Sequence, residues 1–519
     1  MTTSVFMTNL AWVLLLANWA AEWNWREKLT YLRNSKLLQA VLLFMGVHLL
    51  WLVGTADLAY GLHDIQKKLP LLAIPLVVLT TAPPSQKERL NIGIAYVGAI
   101  FVVTLIGWVR HLTIPDLPYR DIVPYISHIR FGLNICLALV LLAYAAVRER
   151  RRWLYAANAL LALWLLAFLL LIRAYTAFII LLVLAIVLPL CCRRKMSPRL
   201  FRIALGGGLA LLLAAATVTG LLCYDYYHLK PLSTQPLASC TANGTPYLHR
   251  DDGLIENGNY VHHYVCEPEL RQQWALVSDV PFDSLTPVGY TIYPALLRYL
   301  NGMGLTKDSA GMTQLTADDI AAIEKGIANP VYTRPGLRKM VYVLCYEYEN
   351  YRCYRSVNNF TMLQRFELWR AGGRLFLRHP LLGVGTGDVP DELHHQLQAD
   401  QSPLADTQLH THSQYLNLLL AFGLLGFGLI VAAFWRAAHH LHRKAHRGSP
   451  ALFAAFLCIL LISFISEDTL ETLAGITFAV MGLSLLAPRP STPTYRIPCT
   501  NTTPSPTDSA SSSDIATRQ

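Results

Sequence analysis

The stretch that decides the fold is HTHSQYLNLLLAFGLLGFGLIVAAFW, residues 410–435. From Gln414 to Trp435 it is almost wholly apolar and long enough to cross a bilayer, whose core of about 30 Å needs about 20 helical residues. Just before this run stand His410 and His412, beside the hydroxyl of Ser413 and the amide of Gln414. A histidine at the mouth of a span titrates near neutrality and can take and return a proton at the water–lipid boundary.

Working outward, 54% of the 519 residues are apolar and 15% are charged, with a mean hydropathy of +0.36. That balance belongs to a multi-pass membrane protein rather than a soluble globule. Candidate spans fall near 5–21, 37–54, 69–82, 91–108, 130–147, 154–171, 175–190, 203–222, 414–435, 450–465 and 470–487. The third and tenth are short and need tilt or local thinning.

If the spans alternate, the basic clusters Arg26–Lys36, Lys87/Arg89, Arg148–Arg152, Arg193–Arg202 and Arg436–Arg447 share one side, which is then cytoplasmic. The opposite side holds loops 55–68 and 109–128, the Arg173 turn, the long segment 223–413 and the Ser466–Glu471 turn. The map leaves the N-terminus outside, and Met1–Ala21 lacks a basic n-region. Two readings remain, a span missing before residue 1 or a first span laid down differently.

The expectation is an all-α polytopic membrane protein of about 11–12 transmembrane helices, with a large, mainly helical domain between the eighth and ninth predicted spans. Its parts are an N-terminal bundle (1–222), an outer domain (223–413), C-terminal membrane helices (414–487) and a disordered Ser/Thr/Pro-rich cytoplasmic tail (488–519).

The net charge of +10 lies largely in short juxtamembrane loops, where it orients the chain and meets anionic lipid. No nucleic-acid motif accompanies it, so membrane lipids rather than nucleic acid are the expected partners. Four cysteines (Cys240, Cys266, Cys345, Cys353) lie in the outer segment, an oxidising compartment under this orientation. They permit three pairings, with a Cys345–Cys353 bridge and free thiols both open. No Cys/His spacing resembles a zinc site, and Cys191-Cys192 reads as a membrane-edge pair open to acylation.

In the outer segment, Leu315, Ile320, Ile323 and Ile327 share a helical face, with Thr316 as its cap. Val341–Tyr354 fits helix or strand. Further on, Phe366, Trp369, Gly373 and Phe376 recur every three to four residues between Arg365, Arg370 and Arg374. This pattern suits an interfacial helix with rings in lipid and guanidiniums toward headgroups, or an ordinary amphipathic domain helix. Then comes His379-Pro-Leu-Leu-Gly383-Val-Gly385-Thr-Gly387-Asp388, whose alternating glycines let the backbone approach a ligand or a neighbouring helix. It lacks the pattern of a phosphate loop.

The order of these elements resembles the O-antigen ligase family. A basic residue and Trp on a helix precede Pro-Leu-Leu-Gly-Val-Gly-Thr-Gly. A variable loop follows, and then His412-Ser413, nine residues, and Gly423-Leu-Leu-Gly426. The similarity covers about 360–435, with a looser likeness around Arg173, and the outer loop before the motif is unusually long. The family also holds O-antigen polymerases and protein O-oligosaccharyltransferases, which are the alternatives within the same chemistry. From another class, a glycolipid transporter would carry repeated halves with broken helices near the midplane.

The resemblance implies an O-antigen ligase in the bacterial inner membrane, with its active site facing the periplasm. The donor would be a glycan on undecaprenyl pyrophosphate and the acceptor lipid A–core. The transfer would be inverting, with no metal and no other cofactor. His412 becomes the general base, with His410 as rival. Arg173 and Arg365 become the pyrophosphate clamp, with Arg370 and Arg374 as substitutes.

An arginine beside lipid usually serves a pathway or an anion, although Arg173 also reads as a snorkelling anchor. His128 and Arg130, at the start of the fifth span, and Lys67-Lys68 either add positive charge for the carrier or anchor the interface. Gly385 and Gly387 line the substrate approach. Gly423 and Gly426, about 16–21 Å along a helix from His412, serve helix contact instead.

Overall fold

The computed structural model describes residues 5–115, 117–148, 151–334, 336–357, 361–407, 409–444 and 450–487, so the expected tail from 488 lies outside the described residues. The chain begins with α1 (Val5–Ala21), α2 (Trp25–Asn34), α3 (Lys36–Leu50), α4 (Leu58–Thr80), α5 (Gln86–Thr113), α6 (His128–Arg148), α7 (Arg152–Leu171), α8 (Tyr175–Cys192) and α9 (Pro198–Tyr227). After the long intervening segment come α18 (Gln414–Lys444), α19 (Pro450–Ser466) and α20 (Leu473–Leu486).

Each of the eleven expected spans falls on one of these helices. By length and composition, α5 to α9 and α18 can cross a membrane, while α1, α3, α19 and α20 are shorter apolar helices. Helices are the form that satisfies every backbone group within one segment, which lipid demands. The core is built from Leu38, Ile100, Phe131, Phe168, Ile180 and Phe456, all at most 2% exposed. Leu211, Leu213 and Leu221 of α9 point outward, as a lipid-facing surface requires.

Two expectations about the bundle need correction. The third span is not a short helix after a polar loop. It is a 23-residue helix, α4, that takes in Asp64, Lys67 and Lys68 and continues through Pro70 and Pro75. Of its charges, Asp64 and Lys68 are buried and pair with each other, while Lys67 stays exposed. The ninth span is not continuous either. Gly423 sits at φ 58°, ψ −167°, and breaks α18.

The loop after α16 (Thr361–Arg378) repairs that break. The Val384 and Gly385 N–H groups donate to the carbonyls of Leu420 (2.8 Å) and Ala421 (3.0 Å), and the Leu424 and Leu425 N–H groups donate to Pro380 (2.8 Å) and Leu381 (3.1 Å). Gly383 and Gly423 face each other across this junction, and a Cβ on either would fall 2.4 Å from opposing backbone. Leu381, Leu382, Leu424 and Leu425 remain exposed around it. Irregular backbone survives at this depth because protein satisfies it.

Between α9 and α18 lie α10 (Pro231–Thr234), a two-residue hairpin of β1 (Ile255–Glu256) and β2 (Asn259–Tyr260), α11 (Glu267–Val277), α12 (Ile292–Met303), α13 (Ser309–Met312), α14 (Ala317–Glu324), α15 (Leu337–Tyr354), α16 and α17 (Val389–Ala399). The segment is mainly helical, and its hydrophobic cluster gathers Trp274, Ile292, Leu296, Tyr299 and Ile323. Thr316 caps α14 in a capping box with Asp319. The helix-or-strand segment is the helix α15. Cys345 and Cys353 both sit on it eight residues apart, about 12 Å along the axis, too far to bridge.

Helix α16 is an amphipathic domain helix rather than an interfacial one with its guanidiniums toward headgroups. Its buried stripe is Leu368, Ala371 and Leu375, and Arg365, 8% exposed, belongs to it. Arg365 therefore points into the protein, while Phe366 faces out and Trp369 donates its indole N–H to the Thr411 carbonyl (2.9 Å).

Candidate active site

The turn between α19 and α20 organises the face of the bundle that carries segment 223–413, here called the loop face. Glu467 and Asp468 open this turn, and Glu471 closes it. Burying three carboxylates beside apolar helices is costly unless each finds a cationic or hydrogen-bonding partner. They find partners on helices far away in sequence.

At the opening end, Nη2 of Arg365 donates to Oε1 of Glu467 at 2.9 Å. From α6, Nη2 of Arg130 donates to Oδ1 of Asp468 at 3.1 Å and lies 3.8 Å from Oε2 of Glu467. Nδ1 of His412 stands 4.0 Å from Oδ2 of Asp468. The segment before α18 is wedged against this turn: the Gln414 N–H donates to the Glu467 carbonyl at 3.3 Å, and Ser413 Oγ donates to the Phe464 carbonyl at 3.3 Å. His412, Arg365 and Arg130 thus meet in one cluster. Nε of Arg130 and Nε of Arg365 are both buried with no partner among the described residues. A buried unused donor beside a half-open imidazole is a binding capacity that the protein itself leaves unfilled.

His412 is 37% exposed in its side chain and adopts a left-handed backbone, φ 50°. For a residue other than glycine that conformation costs about 1–2 kcal/mol, and such positions collect at functional sites. Burial lowers the His412 pKa, as do the charges of Arg365, His410 and Arg130, while Asp468 opposes them. The imidazole is therefore neutral near neutral pH and free to accept a proton. Burial raises the Glu467 carboxyl above its ordinary range, opposed by Arg130 and Arg365.

Arg173 shares the left-handed backbone, φ 51°. Its guanidinium lies 4.9 Å from the Tyr119 ring centre, and that ring is in turn 5.4 Å from the His128 ring. Thr176, three residues on, brings Oγ1 to 3.5 Å from Oγ of Ser466, the neighbour of Glu467. The Arg173 turn therefore adjoins the acidic turn. Burial, with the charge of Arg173 adding to it, lowers Lys339 on α15.

The closing end is different. Lys68 donates from Nζ to Asp64 (2.5 Å) and to Oε2 of Glu471 (2.7 Å). Gln414 donates to Oε1 of Glu471 (3.0 Å), and its own Oε1 accepts from the Leu470 N–H (2.7 Å). Burial pushes the Glu471 carboxyl up, but Lys68 and Gln414 overcome that and hold it at about 2. Lys68 is thus neither an interfacial anchor nor a charge for the carrier. His410 lines the cleft over this network with His48, Tyr60 and Asn417, so the two histidines serve different clusters.

Arg370 and Arg374 lie outside both. Arg370 is 3.6 Å from Glu367, and Arg374 donates to Asp400 on α17 at 2.6 Å. For Gly385 and Gly387 the near neighbour is protein: a Cβ would fall 2.6 Å from Thr55 Oγ1 or 2.2 Å from the Asp57 carbonyl. Asp388 anchors the same loop, accepting from the Ala56 and Asp57 N–H groups at 2.8 Å each.

Sequence reasoning missed Glu467, Asp468 and Glu471 as site residues. Their signal was present, since three acidic residues in a five-residue turn between apolar helices need buried cations to balance them.

A multi-pass helical membrane protein, with a neutral histidine and two arginines against a carboxylate pair, is the class defined by fold and site. Residues 340–431 match the family model described as O-antigen ligase, and that stretch carries α16, the glycine loop, His412 and the Gly423 break. Through this stretch the chain is similar to the O-antigen ligase family. No curated protein matches it.

Proposed function

We propose that the protein is an O-antigen ligase of the bacterial inner membrane, transferring a glycan from undecaprenyl pyrophosphate to lipid A–core at the periplasmic face. His412 takes the proton of the acceptor hydroxyl as its oxygen attacks the anomeric carbon from the side opposite the leaving group. That bond forms as the bond to pyrophosphate breaks, and the anomeric centre inverts. Asp468 beside the ring stabilises the imidazolium. The guanidiniums of Arg130, Arg365 and Arg173 receive the growing charge on the leaving pyrophosphate, which is the work a metal would otherwise do. Glu467 and Asp468 hold two of those guanidiniums in place without using their Nε donors.

The observation that carries the reading is the meeting of His412, Arg365 and Arg130 around one carboxylate pair, within the family-matched domain for two of the three. A transporter reading gains little from the broken α18, because loop 380–385 already bonds the backbone groups at the break that a substrate or ion would use.

The test is in-vitro transfer of a lipid-linked glycan to lipid A–core in the presence of EDTA. His412→Ala is expected to lose about 10²–10⁴-fold in turnover while remaining folded. Full turnover in that variant removes the base. Transfer to a second lipid-linked glycan or to a peptide serine, in place of lipid A–core, converts the assignment to polymerase or to protein O-oligosaccharyltransferase.

A further inference from the structure

We infer that Cys223 and Cys345 form a disulfide that staples the loop-face segment to the membrane bundle. The two sulfurs belong to different helices and lie 3.9 Å apart. Cys223 is near the end of α9, four residues before its last residue, and Cys345 lies midway along α15. The helices that carry them are already locked together. Tyr226, fully buried, sets its ring 5.3 Å from that of Tyr342. Asp225 accepts from the Tyr342 hydroxyl and, at 2.8 Å, from Arg338. The Tyr226 hydroxyl donates to the Ile255 carbonyl at 3.0 Å. Thiols 3.9 Å apart on two docked helices have to close to an S–S bond of about 2.05 Å.

The staple acts on the proposed site through one further helix. The Tyr351 hydroxyl of α15 donates to Glu367 of α16 at 2.9 Å, and Glu367 is two residues from Arg365. Fixing α15 to α9 therefore limits how far the helix bearing Arg365 can drift. The inference rests on the orientation proposed above, because a loop face turned to the cytoplasm would keep both thiols reduced.

The oxidant is a protein disulfide of the thiol–disulfide exchange class. The thiolate of Cys223, the more exposed of the pair, attacks it and releases one thiolate. The thiolate of Cys345 then attacks the Cys223 sulfur and releases the second. Two thiols are oxidised and one disulfide is reduced to a dithiol, so electrons and protons balance. Burial and the Cys223 sulfur push the Cys345 thiol up to about 12, which leaves Cys223 as the first nucleophile.

The test uses the full chain in its native membranes. Free thiols are blocked with N-ethylmaleimide, and the protein is digested without reductant and examined by mass spectrometry. The expected result is one linked species joining the peptides of Cys223 and Cys345, which separates on addition of dithiothreitol. In Cys223→Ser the thiol of Cys345 becomes alkylated, and in Cys345→Ser that of Cys223 does, each variant being checked for folding by its elution as a monodisperse species. Recovery of both peptides fully alkylated from unreduced wild type overturns the inference. Cys240, exposed in the same segment, separates the two ways of failing. If an impermeant maleimide reaches Cys240 in spheroplasts while Cys223 and Cys345 are both free, the orientation stands and the disulfide is wrong. If Cys240 is protected until the membrane is opened, the orientation fails and the disulfide fails with it.

Discussion

One short turn carries an ionic cluster at each end, and the two differ in what they leave undone. At Glu471, a lysine, two carboxylates and a glutamine satisfy one another, with the Lys68 side chain 3% exposed and that of Glu471 17%. At Glu467 and Asp468, two arginines are held by one terminal nitrogen each, their Nε atoms remain unused, and a strained histidine opens to solvent beside them. A buried charge network that closes on itself is architecture, whereas one that keeps donors in reserve is equipped for an anion. The mere presence of buried charge near a membrane therefore does not locate a site; the residual hydrogen-bonding capacity does.

The largest effect expected from that contrast is on stability at the closed end. Lys68→Ala leaves Asp64 and Glu471 buried without their cation and should cost about 3–5 kcal/mol, read as a fall in thermal midpoint in detergent. At Glu471 itself acid should act in a defined direction. Glu471 is held below its ordinary value of 4.5, at about 2. Its contribution is therefore complete above about pH 4.5 and is lost as pH falls through about 2, a dependence that Glu471→Gln should remove. If Lys68→Ala melts with wild type, the closed cluster is not a clamp.

Gly423→Ala comes next. It places a Cβ against Leu381 at a left-handed position and should cost at least about 1–3 kcal/mol, lowering the thermal midpoint without altering the residues of the open cluster. An unchanged midpoint would mean that α18 can straighten. A smaller effect belongs to the open cluster and is kinetic. Because His412 titrates below 6.5, the acid limb of the transfer rate should lie below that pH. Asp468 raises the His412 pKa, so Asp468→Asn should move the limb further toward acid, and movement toward neutrality would exclude Asp468 as the imidazolium's partner. The smallest effect is expected at half-exposed Arg374, whose pair with Asp400 should contribute under about 1 kcal/mol on removal.

The helices were legible in the sequence because hydropathy is a local sum, and every apolar run that it marked is a helix. It failed where a charge is answered from far along the chain. Lys68 shortened the apparent third span because its partner Glu471 is 403 residues away, and no window sees both. The same distance hid Glu467 and Asp468, although Arg365 and His412 were readable from the spacing of the family motif. Gly423 looked like a residue for close helix contact, since periodicity alone does not show that loop 380–385 supplies the bonds that let the helix break there. Cys223 escaped notice as the end of a span, and only the docking of α15 sets it opposite Cys345.

The most direct test of the open cluster is the affinity of undecaprenyl pyrophosphate for the double variant Arg130→Lys/Arg365→Lys, measured beside its thermal midpoint. Lysine keeps each ion pair with the carboxylates but removes the spare Nε donor. The account predicts a midpoint close to wild type and a loss of at least about 10–100-fold in affinity, the amount expected for even one charged hydrogen bond of about 1.5–3 kcal/mol. Wild-type affinity in a well-folded double variant would contradict it.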